Sequence, residues 1–279
     1  MHADAFFTIG KTHKVCESYA LAGKLDRGDL DPLPPALLAL VSDGCSTGHH
    51  TDFGSRLLVM AALEVFSLDG HLGDGRKVVR RAMEMGSDIN LPGSAFAATL
   101  MAVSHQTGDD VARAVAWGDG VVAGRRRDGG IDYFTIEYPS GAPAYLWYLT
   151  DDTKTIGYLE QFGGTQIVTE FQDMQEVSSW ESEDIFAPEV FDFPVAEYDL
   201  VMVMDDGAQS FMAPDPKYGN RPSRVMLEGI LPQVMDIHGA TGEFLTRRVR
   251  NGFLRKHCVQ NNWDHHDDLA IGALWLSDP

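Results

Sequence analysis

Apolar residues along this chain gather into short runs that break off at aspartates. Leu37 to Val41 is a continuous apolar run of strand length. It stops at Ser42-Asp43-Gly44 and opens into the small polar loop Cys45-Ser46-Thr47-Gly48. A run of that length bounded by turn residues predicts a strand buried on both faces, with one carboxylate lifted out of its end. Val201-Met202-Val203-Met204 stops in the same way at Asp205-Asp206-Gly207, and Ala116-Trp117 stops at Gly118-Asp119-Gly120. Asp267-Asp268 leads into the apolar run Leu269 to Leu276. Leu57, Leu58, Ala61, Ala62, Val65 and Phe66 recur instead at helical spacing between Thr51-Asp52 and Asp69-Gly70, which predicts a helix.

The same patterning predicts strands at Ala5 to Gly10, Tyr19 to Gly23, Ala95 to Val103, Val111 to Trp117, Val121 to Arg126, Ile131 to Tyr138, Ala144 to Leu149, Thr165 to Phe171 and Ala270 to Leu276. Those from Ala95 onward, spaced by Gly-rich turns, suggest an antiparallel meander. Helices are expected at Arg76 to Met85, Ser223 to Met235 and Thr241 to Lys256, and Asp31-Pro32-Leu33-Pro34-Pro35 reads as a rigid connector. Residues 151–196 read as an irregular, acidic surface excursion. A single α+β domain over residues 1–279 is the economical expectation.

Composition narrows the function more than the fold. A net charge of −19 speaks against a nucleic-acid binder, which would carry a basic stripe. Met1 to Phe7 lacks the cationic start and long apolar core of a signal peptide, and no stretch approaches the roughly 18 apolar residues of a membrane helix. No membrane partner is expected, and the cytoplasm is the default location. The three cysteines, Cys16, Cys45 and Cys258, are too widely spaced for a disulfide framework or a zinc pattern.

Carboxylates at the ends of several buried strands, without a Cys/His set, are the oxygen-only donors that suit Mg²⁺ or Mn²⁺ rather than zinc. The ordered set Cys16-Glu17-Ser18, Val41-Ser42-Asp43-Gly44, Gly118-Asp119-Gly120, Met204-Asp205-Asp206-Gly207 and Asp267-Asp268 resembles the metal-dependent serine/threonine protein phosphatases of the protein phosphatase 2C type, from about residue 6 to residue 276. The resemblance implies a four-layer α/β/β/α sandwich of two antiparallel sheets flanked by helices. It also implies hydrolysis of phosphoserine and phosphothreonine on protein substrates by a metal-activated water, at a centre of two or three Mn²⁺ or Mg²⁺ ions. By the family pattern Asp43 bridges two ions, Asp206 and Asp267 complete one shell, and Glu17 with the Gly44 carbonyl serves the other. Asp119 matches the position that, with Asp206, holds a third ion in bacterial members. A monomer is expected.

Three positions depart from that pattern. Ser18 stands where many members carry Asp after the acidic residue. His13, flanked by Lys11 and Lys14, replaces a phosphate-binding arginine, leaving these three as the candidates for that role. Cys45 stands where a leaving-group acid often follows the Asp-Gly pair, so His49 or His50 is the candidate donor. These departures motivate an alternative, a pseudophosphatase that binds metal or a phosphoprotein partner as a regulatory module. A remoter alternative is a serine hydrolase: Gly44-Cys45-Ser46-Thr47-Gly48 fits the nucleophile-elbow pattern, with Ser46 as nucleophile and Asp206 and His257 downstream. Asp264-His265-His266 is expected to be a solvent-facing loop. Arg125-Arg126-Arg127 is expected to be a solvated hairpin flank.

Overall fold

The structure, a computed structural model, describes residues 1–26, 33–215, 221–239 and 241–277. The connector expected at residues 31–35 lies partly outside the described residues. Fifteen strands and five helices follow one another among the described residues. The first part runs β1 (His2–Thr8), β2 (Tyr19–Leu25), β3 (Ala36–Ser42), α1 (Thr51–Asp69), α2 (Gly75–Ser87), β4 (Leu100–Gln106), β5 (Val111–Trp117), β6 (Gly120–Arg126) and β7 (Ile131–Glu137). Then come α3 (Asp152–Phe162), β8 (Ile167–Gln172), β9 (Gln175–Glu181), β10 (Glu189–Pro194) and β11 (Tyr198–Met204). Last are β12 (Phe211–Asp215), β13 (Arg221–Arg224), α4 (Leu227–Val234), the π-wound helix α5 (Thr246–Cys258, running on into the turn Val259–Asn261), β14 (Asp264–His265) and β15 (Leu269–Trp275).

Two antiparallel sheets dominate, a seven-stranded one in the order β1-β15-β11-β6-β7-β8-β9 and a five-stranded one in the order β10-β5-β4-β3-β2. Strand periodicity explains how they stack. In β3, Leu37, Ala39 and Val41 enter the core shared with Val201, Val203 and Ala270 of the other sheet, while Ala36, Leu38 and Leu40 face Leu58, Ala62, Val65 and Val78 of α1 and α2. In β11, Val201 and Val203 face the inter-sheet core, whereas Leu200, Met202 and Met204 pack on Ile230, Leu231 and Phe253 of α4 and α5. The layers are therefore helices, sheet, sheet, helices: an α+β sandwich of antiparallel sheets flanked by helices, as the family resemblance implied.

Several local expectations need correction. The meander is not one sheet, because at Gly118-Asp119-Gly120 the chain leaves the five-stranded sheet and enters the seven-stranded one. Ala95 belongs to a 3₁₀ turn, Gly93–Phe96, packed under α1, and the strand starts only at Leu100. Leu146–Thr150 is also 3₁₀, with Leu146 and Leu149 buried at the i, i+3 spacing that such a turn aligns. Residues 221–224 form β13 ahead of the shorter helix α4. The segment read as an irregular excursion is a helix and three strands: β8 and β9 extend one sheet, and β10 edges the other. Its order is hard to read from sequence because β9 is exposed at every position and shows no alternation. His265 is half-buried, paired in β14 with Phe211 and stacked on that ring at 5.2 Å, so Asp264-His265-His266 is no free loop. Of the three arginines only Arg127 is solvated as expected; Arg125 and Arg126 are half-buried. Arg125 grips Asp199, Arg126 grips Asp132, and Arg127 donates to the Val195 carbonyl.

A candidate metal centre at the strand ends

Register alone brings the aspartates together. Met204 pairs with both Val121 and Ile271, so the end of β11 lies beside the starts of β6 and β15. Val41 pairs with Met101 and Leu100 with Trp117, so β3 and β5 end on either side of the start of β4 in the other sheet. Thr8 pairs with Leu269, and Tyr19 with Ser42, which brings the β1–β2 loop to the same edge. Asp43, Asp119, Asp205, Asp206, Asp267 and Asp268 thereby come from four remote stretches of chain to one end of the sandwich.

Hydrogen bonds fix how these carboxylates sit. The Thr99 hydroxyl accepts from the Asp43 N–H at 3.0 Å, and the Asp43 carbonyl accepts from the Thr99 N–H at 2.8 Å. The Ser18 hydroxyl lies 2.7 Å from Asp43 Oδ1 and 2.6 Å from Asp205 Oδ2, joining the two sheets. Asp205 Oδ2 also accepts from the Ala270 N–H at 2.8 Å, but Asp205 Oδ1 is buried without a partner. Asp268 accepts from the Gly10 N–H at 2.7 Å and from the Glu17 N–H at 2.6 Å, which ties the β1–β2 loop down. Glu17 Oε1 accepts from the Thr51 hydroxyl at 2.8 Å, and the Ser55 hydroxyl donates to the Glu17 carbonyl at 2.6 Å, so the start of α1 orients this residue. The Gly44 N–H donates to the Glu17 carbonyl at 3.3 Å.

So many acids in one buried place repel each other. Burial, then Asp206, pushes Asp119 up to about 7. Burial, then Asp267, pushes Asp206 up to about 6, against the opposing pull of Arg224. Asp43 and Asp205 are raised well above the ordinary carboxylate range, by burial first and then by neighbouring aspartates. Glu17 is raised by burial. His13 lies 3.2 Å from both Asp267 Oδ1 and Asp268 Oδ2. Burial pulls its pKa down, but the hydrogen bond and charge of Asp268, with Asp267, raise it overall. A carboxylate oxygen orphaned in the interior and a surplus of mutually repelling acids both call for cations. The donors are carboxylate oxygens and one imidazole nitrogen, with His13, Glu17 and Asp268 close enough together to share an ion. The residues fit hard divalent cations.

Of the residues singled out from sequence, Glu17, Asp43, Gly44, Asp119, Asp206 and Asp267 converge at this edge, and His13 lies among them. Lys11 is exposed and paired with Asp264 at 2.7 Å, and Lys14 is exposed. His49 and His50 are exposed at the start of α1, His50 in a left-handed conformation with φ of 63°. Ser46 lies exposed in a loop five residues before α1 begins, so no helix follows it as an elbow requires. Its supposed partner His257 packs on Phe253 and Trp263 in the α5 layer. Sequence reasoning passes over Ser18, Asp205, Asp268 and Arg224 as contributors. A signal is there: both Asp-Asp pairs border fully apolar runs, where a second acid has no reason to be unless it is used.

No protein-family model matches the chain, and no curated protein matches it. Among solved structures it is similar to a single-residue mutant of a bacterial serine phosphatase, with 11% identity, TM-score 0.57 and 99% of each chain covered. It is also similar to the serine/threonine phosphatase Stp1 from Staphylococcus aureus, with 11% identity, TM-score 0.53 and coverage of 99% and 95%. A sex-determining protein of C. elegans matches at 15% identity and TM-score 0.52, over all of this chain and 65% of that one. At such identities the likeness is one of fold.

Proposed function

We propose that the chain is a metal-dependent phosphatase acting on phosphoserine and phosphothreonine in proteins, with two or three Mn²⁺ or Mg²⁺ ions at the strand-end carboxylates. The observation that carries this reading is the convergence of Asp43, Asp119, Asp206 and Asp267 from remote strand ends beside a buried, unpaired oxygen of Asp205. The shared fold with serine/threonine phosphatases supports it.

In this reading Asp43, Asp206, Asp267, Glu17 and the Gly44 carbonyl would hold two ions, and Asp119 with Asp206 would offer a place for a third. Bound ions supply a water of lowered pKa and positive charge toward a phosphoryl group. The protein's own share is orientation. Thr99 and Ser18 set Asp43, Thr51 sets Glu17, and the Ser210 hydroxyl, 3.1 Å from the Asp267 N–H, accepts its hydrogen bond. Cations for the phosphate are Arg224, held by the Gln209 carbonyl at 2.6 Å, together with His13, Lys11 and Lys14. His49 and His50, open to solvent, are the candidates to protonate the leaving oxygen.

Turnover of p-nitrophenyl phosphate tests the reading. Mn²⁺-dependent hydrolysis is expected, with activity abolished by EDTA and reduced at least about 100-fold by Asp206→Ala. Because His13 is engaged by two acids, a regulatory pseudophosphatase is the second reading. Tight Mn²⁺ binding without turnover on this compound or on any phosphopeptide would establish it.

A further inference from the structure

The Ser18 hydroxyl has one proton and faces two carboxylates, Asp43 Oδ1 at 2.7 Å and Asp205 Oδ2 at 2.6 Å. Ser18 and Asp205 are both fully buried. Asp205 Oδ2 is further pinned by the Ala270 N–H, whereas Oδ1 has no partner. Among the described residues no lysine, arginine or histidine forms an ion pair with Asp205. A buried carboxylate in this position is short of positive charge, and one hydroxyl cannot satisfy both of its neighbours at once.

We propose that Asp205 and Ser18 form a positioning pair that aims Asp43 at divalent cations, with Asp205 contributing a charge that strengthens their binding. The inference rests on the metal-centre reading above. With a cation held at Asp43, the Asp43 oxygen would no longer need the Ser18 hydroxyl, whose proton would stay with Asp205. Asp205 thus acts through Ser18 and Asp43, and its backbone, bonded to Ala270, fixes the pair to the β11–β15 ladder.

The purely structural alternative makes Asp205 a neutral hydrogen-bonding group, for which asparagine would do as well. Calorimetric titration with Mn²⁺ alone, together with thermal unfolding with and without Mn²⁺, separates the two. Asp205→Asn is expected to weaken Mn²⁺ binding about 10- to 100-fold. The same variant should leave the metal-free protein as stable as wild type or more so, and should shrink the rise in Tm that Mn²⁺ produces. Ser18→Ala should weaken Mn²⁺ binding in the same direction. The exchange S18D/D205S keeps one carboxylate across the same contact and should recover most of the affinity lost in D205S.

Wild-type affinity in Asp205→Asn overturns the pair, as does lost affinity accompanied by lost metal-free stability that the exchange does not restore. If Asp205→Asn does not fold, unchanged affinity in Ser18→Ala overturns it. A wild type that binds no Mn²⁺ overturns the metal centre and the pair together. Binding lost in Asp206→Ala but intact in Asp205→Asn overturns the pair alone.

Discussion

Asp206, pushed up to about 6, and Asp119, pushed up to about 7, hold protons in the folded, metal-free protein at pH values where the unfolded chain has released them. Asp43 and Asp205 are raised in the same direction, by burial and by neighbouring aspartates. A folded state that binds more protons loses stability as pH rises. For Asp206 and Asp119 the loss runs from about pH 4 to about pH 7. His13, also raised, contributes stability that is complete below its unfolded value near 6.5 and disappears as pH climbs through its folded value. The two effects add. With EDTA present, Tm is expected to fall by about 5 °C or more between pH 5 and pH 7.5. Mn²⁺ should reverse the trend, because cations compete with those same protons. His13→Ala should flatten only the part of the curve above about pH 6.5. A metal-free Tm that stays level or rises across this range would contradict the electrostatics of the cluster.

The strand ends that present these acids depend on small residues where backbones meet. A Cβ on Gly207 would collide with the Asp268 carbonyl and press on Asp205 Oδ1 at 3.0 Å. Backbone cannot give way as the tip of a flexible side chain can, so Gly207→Ala is expected to cost about 3 kcal/mol, at the upper end of overpacking effects. It should also weaken Mn²⁺ binding, because it separates the ends of β11 and β15. Gly157 gives the contrast: it is exposed in α3 with nothing within 4 Å of its Cβ direction. Gly157→Ala should stabilise by about 0.5–1 kcal/mol with Mn²⁺ affinity unchanged. Urea denaturation of both variants checks the signs.

These elements also mark what can be read in the chain. Apolar runs closed by Asp-Gly announce β3 and β11, and with them Asp43 and Asp206, because burial on both faces leaves a continuous signature. The pairing of Ser18 with Asp205 carries no such mark. Their importance lies in a contact between residues 187 positions apart, which no local pattern encodes. Between residues 151 and 196 the pattern gives Thr165 to Phe171, close to β8, but passes over α3, β9 and β10; β9 lies at a sheet edge, exposed at every position, and needs no periodic apolar face.

The sandwich as a whole divides its polar resources between its two ends. Asp119 and Gly120 lie where β6 begins, and Arg125 lies five residues further along the strand, roughly 17 Å away at about 3.4 Å per residue. There Arg125 makes a bidentate pair with Asp199 at 2.8 and 2.9 Å and donates to the Met235 and Ile237 carbonyls at 2.5 and 2.8 Å. Its guanidinium also stands 5.3 Å from the centre of the Trp275 ring. One side chain thus joins β6, β11 and β15 to the chain leaving α4, beside a cleft of about 510 Å³ that Arg126 and Arg127 also line. Arg125 is only 12% exposed and Asp199 only 19%, so removing the cation strands a carboxylate and two carbonyls in poorly solvated surroundings. Arg125→Ala is therefore expected to destabilise the protein by about 3 kcal/mol, read as a lower urea midpoint. Mn²⁺ affinity should be unchanged, since a site built from strand ends on the opposite edge receives no contact from this arginine. A matching loss of Mn²⁺ affinity would mean that the two ends do not act independently. The hydrogen bonds of Thr99, Ser18 and Ser210 would then not suffice to set Asp43 and Asp267, and the far edge of the sandwich would share in fixing their geometry.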